Sequence, residues 1–223
     1  MPRLFQILCL LIFSSVVSSL LAGSQTTPAP AVVTFTLDFP ASQPEHYSIR
    51  VQSDGSARYQ SSGRLSADSD ETDSFDLGFT VAAETRQKIF DLAAKAGYFQ
   101  KDVDSHHKGM AFTGKKTLTY QDARRSGEST YNYSSNPAVQ DLTSLMQNLS
   151  ATLEFGHRLQ YDHRYQKLAL DEELKRMEEM ARGNQLAEVT AIQPILDEII
   201  ADPLVINVTR ARAQRLLERA GVR

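Results

Sequence analysis

The residues best placed to do chemistry in this chain are carboxylates and histidines. In Lys-Asp-Val-Asp-Ser-His-His-Lys-Gly, residues 101–109, Asp102, Asp104 and His106 alternate with His107 beside them. An extended backbone would turn alternate side chains to one side and could aim them at one cation. A calcium loop in this register would want glycine at 107 and glutamate at 113, and the chain has His107 and Thr113 there. A solvated loop is therefore the stronger reading of Asp102, Asp104, His106 and His107, and a metal site the weaker. Glu154 and His157 form a Glu-x-x-His pair, the spacing used in di-iron bundles. Such bundles need a second pair and two further glutamates on facing helices, and no second Glu-x-x-His occurs. A local hydrogen bond or a solvated helix face is the simpler expectation. The acidic run Asp68, Asp70, Glu71 and Asp73 matches no closed calcium site and reads as solvated linker.

Other chemistries are absent from the sequence. It contains no glycine-rich dinucleotide or phosphate-cradling motif, no Gly-x-Ser-x-Gly and no His-Glu-x-x-His. No catalytic residue is assigned and no cofactor is expected. The single cysteine, Cys9, lies in the N-terminal segment, so thiolate catalysis and disulfides are not expected of the remainder. A formal net charge of -3 argues against nucleic acid as a partner.

The elements that must position these residues begin after a targeting signal. Arg3, the apolar run Leu4–Leu21 and the small residues Ala22, Gly23 and Ser24 have the order of a secretory signal peptide over 1–24. The competing reading is an uncleaved anchor, the only route by which a membrane would be met. Residues 25–30 read as a flexible leader. Val33, Phe35, Leu37 and Phe39, then Tyr47, Ile49 and Val51, alternate with polar residues as half-buried strands do. Asp54-Gly55 suits a tight hairpin turn leading to Ala57 and Tyr59. A polar, acidic loop is expected over 61–74. Strands follow at Phe75–Val81, Leu118–Tyr120 and Tyr131–Tyr133, with a helix through Thr85, Ile89, Leu92 and Ala96 ended by Gly97.

From Pro137 to Arg182 the pattern is that of one long helix or two in line, opened by Asn136-Pro137 and closed by Gly183-Asn184. Its stripe fails between His157 and Lys167, which predicts exposure there or a kink near Gly156. Two shorter helices follow, one within 186–201, with Pro194 kinking or beginning it, and one from Asp202-Pro203 to Ala220. Arg210, Arg212, Arg215 and Arg219 are expected to pair with Glu172, Glu173, Glu178 and Glu179 across that bundle.

The stretch Tyr47-Ser-Ile-Arg-Val-Gln-Ser-Asp-Gly-Ser-Ala-Arg-Tyr59 resembles a family of uncharacterised domains in secreted and cell-envelope proteins of bacteria. So does the order that follows: a helix around Lys88-Ile-Phe-Asp-Leu, then Gly97-Tyr-Phe, an aspartate-bearing loop, a strand, and a helix opened by Asn136-Pro137. The resemblance covers roughly 33–153. It implies export and a small α+β domain, and no activity.

The expectation is thus an α+β protein. One antiparallel sheet covered on one face by helices (31–155) is followed by a C-terminal all-α helical arm (156–223). The preferred function is a non-catalytic envelope or periplasmic interaction module, with the arm meeting a protein partner or a second copy. The alternative is a small-ligand or metal-dependent binding protein, or a hydrolase, with its site near 102–107.

Overall fold

A computed structural model describes residues 29–40, 42–64 and 71–221. The expected signal segment and most of the leader lie outside the described residues, as do Asp68 and Asp70. Among the described residues no helix is long and apolar enough to cross a membrane.

Period-two patterning produces six strands: β1 (Val32–Asp38), β2 (His46–Gln52), β3 (Ser56–Arg64), β4 (Thr72–Thr80), β5 (Lys115–Gln121) and β6 (Ser126–Tyr131). They form one sheet in the order β4-β3-β2-β1-β5-β6, antiparallel at every neighbour. The register aligns Leu77, Tyr59, Ile49, Phe35 and Leu118 in a row across the sheet. A slip of one residue would turn this row to solvent, so the apolar pattern itself fixes the pairing. At the β2–β3 turn Gly55 takes φ +98, a left-handed backbone that glycine adopts without Cβ strain. Asp54 holds the turn by accepting the Ser56 N–H at 2.9 Å.

Helices α1 (Ala83–Lys95) and α2 (Pro137–Tyr165) cover the apolar face. They bury Ile89, Leu92 and Ala93 from one and Val139, Leu142, Met146, Leu149 and Leu153 from the other. Asn136 caps α2 by accepting the Ala138 N–H at 2.9 Å, and Pro137 occupies the first turn, where no N–H is needed. Phe99, in the turn after α1, is fully buried. Gly127 of β6 runs against that turn so closely that a Cβ would stand 2.1 Å from the Tyr98 carbonyl oxygen.

The acidic loop expected over 61–74 is shorter than its composition suggests, because β3 runs to Arg64 and β4 starts at Thr72. Pairing with a neighbouring strand outweighs the poor strand preference of Ser, Gly and Asp. The helical run from Pro137 is two helices: α2 stops at Tyr165, and α3 spans Leu170–Arg182. No proline or glycine causes the break. A straight continuation would carry Leu170, Leu174 and Met177 away from the core, whereas α3 packs on α2 and α5 and buries all three. Gly156 does not kink α2. A Cβ there would lie 2.4 Å from Ile192 Cγ2, so this glycine is where the C-terminal helices press closest.

Pro194 begins α4 (Gln193–Ala201) rather than kinking it. Asp202-Pro203 does not open the last helix, since α5 spans Asn207–Arg219. Asp202 is instead committed to His163 at 3.0 Å, to Lys167, and to the Leu204 N–H at 2.8 Å. Of the four expected arginines, Arg212 and Arg215 converge on Glu178, and Arg212 also meets Asp171. Glu173 pairs within the α2–α3 region, with Arg158 and Arg176. One apolar cluster runs from the sheet through α2 into α3, α4 and α5. The C-terminal run of helices packs back on the long helix.

Candidate functional site

Where α2 passes the ends of β3 and β4, a cleft of about 590 Å³ opens, closed on its far side by the start of α3. Its floor is Glu154. The carboxylate accepts the Tyr59 hydroxyl and the Ser61 hydroxyl, each at 2.7 Å, and Tyr59 also shares a hydrogen bond with Ser150 at 2.9 Å. Tyr59 and Ser61 face the same way because they stand two apart on a strand. Burial, then the Glu154 charge, pushes the Tyr59 phenol far above its usual range, so it stays a donor.

One wall is His157, a turn on from Glu154. Its ring stacks on Phe75 at 4.3 Å, and Nε2 lies 2.8 Å from Asp73 Oδ2 on β4. The opposite wall is Arg158, which lies over the Phe155 ring and reaches Glu173 at 3.3 Å. Next along the helix comes Asp162. It is only 9% exposed and lines the cleft, yet its carboxylate accepts no hydrogen bond among the described residues. Burial raises its pKa, the Glu173 charge raises it further, and Arg158 only partly opposes them. A smaller cavity of about 310 Å³ shares Gln43, Pro44, Glu154 and Arg158 with the cleft and extends it toward Arg176 and Met180.

This arrangement is suited to holding a ligand. Asp73 and His157 form a carboxylate–imidazole pair, and the Ser61 hydroxyl donates to Glu154 rather than to His157. Glu154 and His157, the spacing noted in the sequence, line one cleft without bonding each other; each takes its partners from the sheet. Tyr59, Ser61, Asp73 and Asp162 were not legible as site residues. The one available signal was that Phe155, Leu159 and Asp162 continue a buried helical face at steps of four and three, so a carboxylate stands where an apolar residue would be expected.

The 102–107 loop is built differently. Asp102, Asp104 and His106 do come together: Asp102 Oδ2 lies 2.7 Å from His106 Nε2, and Asp104 Oδ1 accepts the His106 N–H at 2.6 Å. His107 is exposed and outside this set. The carboxylates are largely occupied by the backbone, since Asp102 also accepts the Asp104 N–H and Asp104 the Asn132 N–H. These bonds hold both aspartates below the usual carboxylate range, and Asp102 raises the His106 pKa. Beneath the loop the buried Lys116 ammonium donates to the carbonyls of Thr113, Gly114 and Asn132. Among the described residues no three His, Asp or Glu side chains are placed to share a metal ion. No family model matches the chain, and no curated protein matches it.

Proposed function

We propose that this is an exported, non-catalytic binding protein whose ligand sits in the cleft between the ends of β3–β4 and α2–α3. The observation that carries this reading is the cleft itself. It is concave, its polar and charged lining residues present much carbon surface to it, and its floor carboxylate is already fixed by Tyr59 and Ser61, as in pre-formed small-molecule sites. The 102–107 loop, whose carboxylates serve its own backbone, is the weaker location for a ligand. The test is a thermal-shift screen of small metabolites on the mature chain, repeated with Ser62→Trp, which would fill the mouth. Ligands that raise Tm in the parent and not in the variant support the reading. Ligands that stabilise both equally would place binding elsewhere and sink it. Export is tested separately by the N-terminal residue of the secreted chain, expected at Gln25.

A second reading retains a protein partner or self-association through the C-terminal helices. It is favoured by large apolar side chains exposed on the two turns that Asp202 ties together, Tyr165 and Leu168 on one and Leu204 and Ile206 on the other. Light scattering on the parent and on a Leu168→Ser, Leu204→Ser double variant decides it. A parent that is monomeric at all concentrations removes the self-association arm.

A further inference from the structure

We infer that the ligand of this cleft is a small organic cation, an alkylammonium or alkylguanidinium, whose charged head is received by Asp162. The inference rests on the cleft reading above and adds the chemical class. The lining carries Asp73, Glu154, Asp162, Glu172 and Glu173 against Arg64 and Arg158. A concave site carrying such an excess favours cations over anions.

The state of each carboxylate sharpens this. Glu154 is held by Tyr59 and Ser61, Asp73 by His157, and Glu173 by Arg158 and Arg176, while Glu172 is exposed to solvent. Arg158 is directed at Glu173 and the Phe155 ring, more than ion-pair distance from Asp162. Asp162 is therefore nine-tenths buried, turned into the cleft, and without a donor among the described residues. Its oxygens are open to the cleft, where an entering N–H donor can reach them.

An entering anion would meet Asp162 and Glu173 together. A bare divalent ion would need further oxygen ligands, and no such convergence exists among the described residues. An N–H-bearing cation needs one carboxylate for its head and carbon surface, such as the stems of the lining side chains, for its tail. The cleft provides both, with the half-exposed Tyr161 ring at its rim.

The test is calorimetric titration of the full chain with four probes of matched size: n-butylammonium, n-butylguanidinium, 1-pentanol and n-pentanoate. Amide and imidazole NMR shifts locate each probe. The inference expects the two cations to bind, with shifts at His157 and Tyr161. Asp162→Asn should weaken them about tenfold or more, a change of roughly 1.4 kcal/mol per decade, and Glu172→Gln should weaken them less. Because Asp162→Asn keeps the shape of the side chain and removes only its charge, the variant should fold, and its NMR spectrum checks this. Cations and the alcohol binding equally in the cleft, or cations binding Asp162→Asn as well as the parent, would overturn the cation assignment and leave the cleft reading standing. No probe of any charge moving a cleft resonance would overturn both.

Discussion

In the 102–107 loop Asp102 and Asp104 bind mostly groups two to four residues away, with one longer bond from the Asn132 N–H to Asp104, whereas in the cleft Glu154 and Asp73 bind groups 84 to 95 residues away. Both regions contain aspartate and histidine, and only their wiring differs. Short-range bonds let Asp102 and Asp104 satisfy themselves as the backbone turns, as aspartates commonly do in loops. That leaves little for a ligand. In the cleft Glu154 on α2 is held by Tyr59 and Ser61 of the sheet and Asp73 on β4 by His157 of α2, and the buried Asp162 is left without a donor among the described residues. Pre-organisation by distant elements makes a site; local self-sufficiency makes a loop.

The comparison is most easily broken at Tyr59. Tyr59→Phe removes a donor to Glu154 at the floor of the cleft, and urea unfolding should show a loss of about 1.5–3 kcal/mol, with loop resonances near His106 unmoved. A loss below that range would mean that Ser61 alone holds Glu154. Asp104→Ala should cost about 1 kcal/mol, because it frees the His106 and Asn132 N–H groups to bond water. Cleft resonances should not change, and any coupling between the two regions would contradict their independent construction.

Asp162→Asn should act in the opposite direction. A carboxyl whose pKa is raised on folding withdraws stability as pH climbs from its unfolded value of about 3.9 through the folded one. The variant should therefore raise the urea midpoint at pH 7 and raise it less at pH 3.5. Equal gains at both values would show that Asp162 carries no unpaired charge. The smallest effect is a titration. His106 gains Asp102 as a partner, so its imidazole should titrate by NMR above the free value of about 6.5, and Asp102→Asn should return it. The stability this pair contributes is present below about pH 6.5 and is lost as pH rises through the folded pKa.

The sheet was legible because strand alternation is a local property. Val33, Phe35 and Leu37 declare a face without knowledge of any partner, and all three are buried. The caps at Asn136-Pro137 and the turn at Asp54-Gly55 are local in the same sense. That the run from Pro137 could divide into two helices was legible in the stripe failing before Lys167, but the place of the break, after Tyr165, was not, because its cause is the burial of Leu170 and Leu174 against helices that come later in the chain. Asp202-Pro203 misled for a similar reason: its carboxylate is taken by Lys167 and His163, so it is not free to cap α5. The candidate site was half visible. Glu154 and His157 were noticed as a pair, but their roles depend on Tyr59, Ser61 and Asp73, and spacing along one helix cannot supply those.

The place of β1 in the sheet governs the order of folding. It is the first strand among the described residues and lies inside the sheet, hydrogen-bonded to β2 on one edge and β5 on the other. The meander from β1 to β4 closes through connections between sequence neighbours, but Phe35 meets Leu118 only across the whole intervening chain. Closing that span carries a larger entropic penalty than any hairpin in the protein. The free edge of β1 must therefore wait, exposed and able to pair with the wrong strand, until β5 arrives to cover it. Whatever machinery handles the nascent chain has that edge to protect, and the time for which it must do so is set by how fast β5 docks.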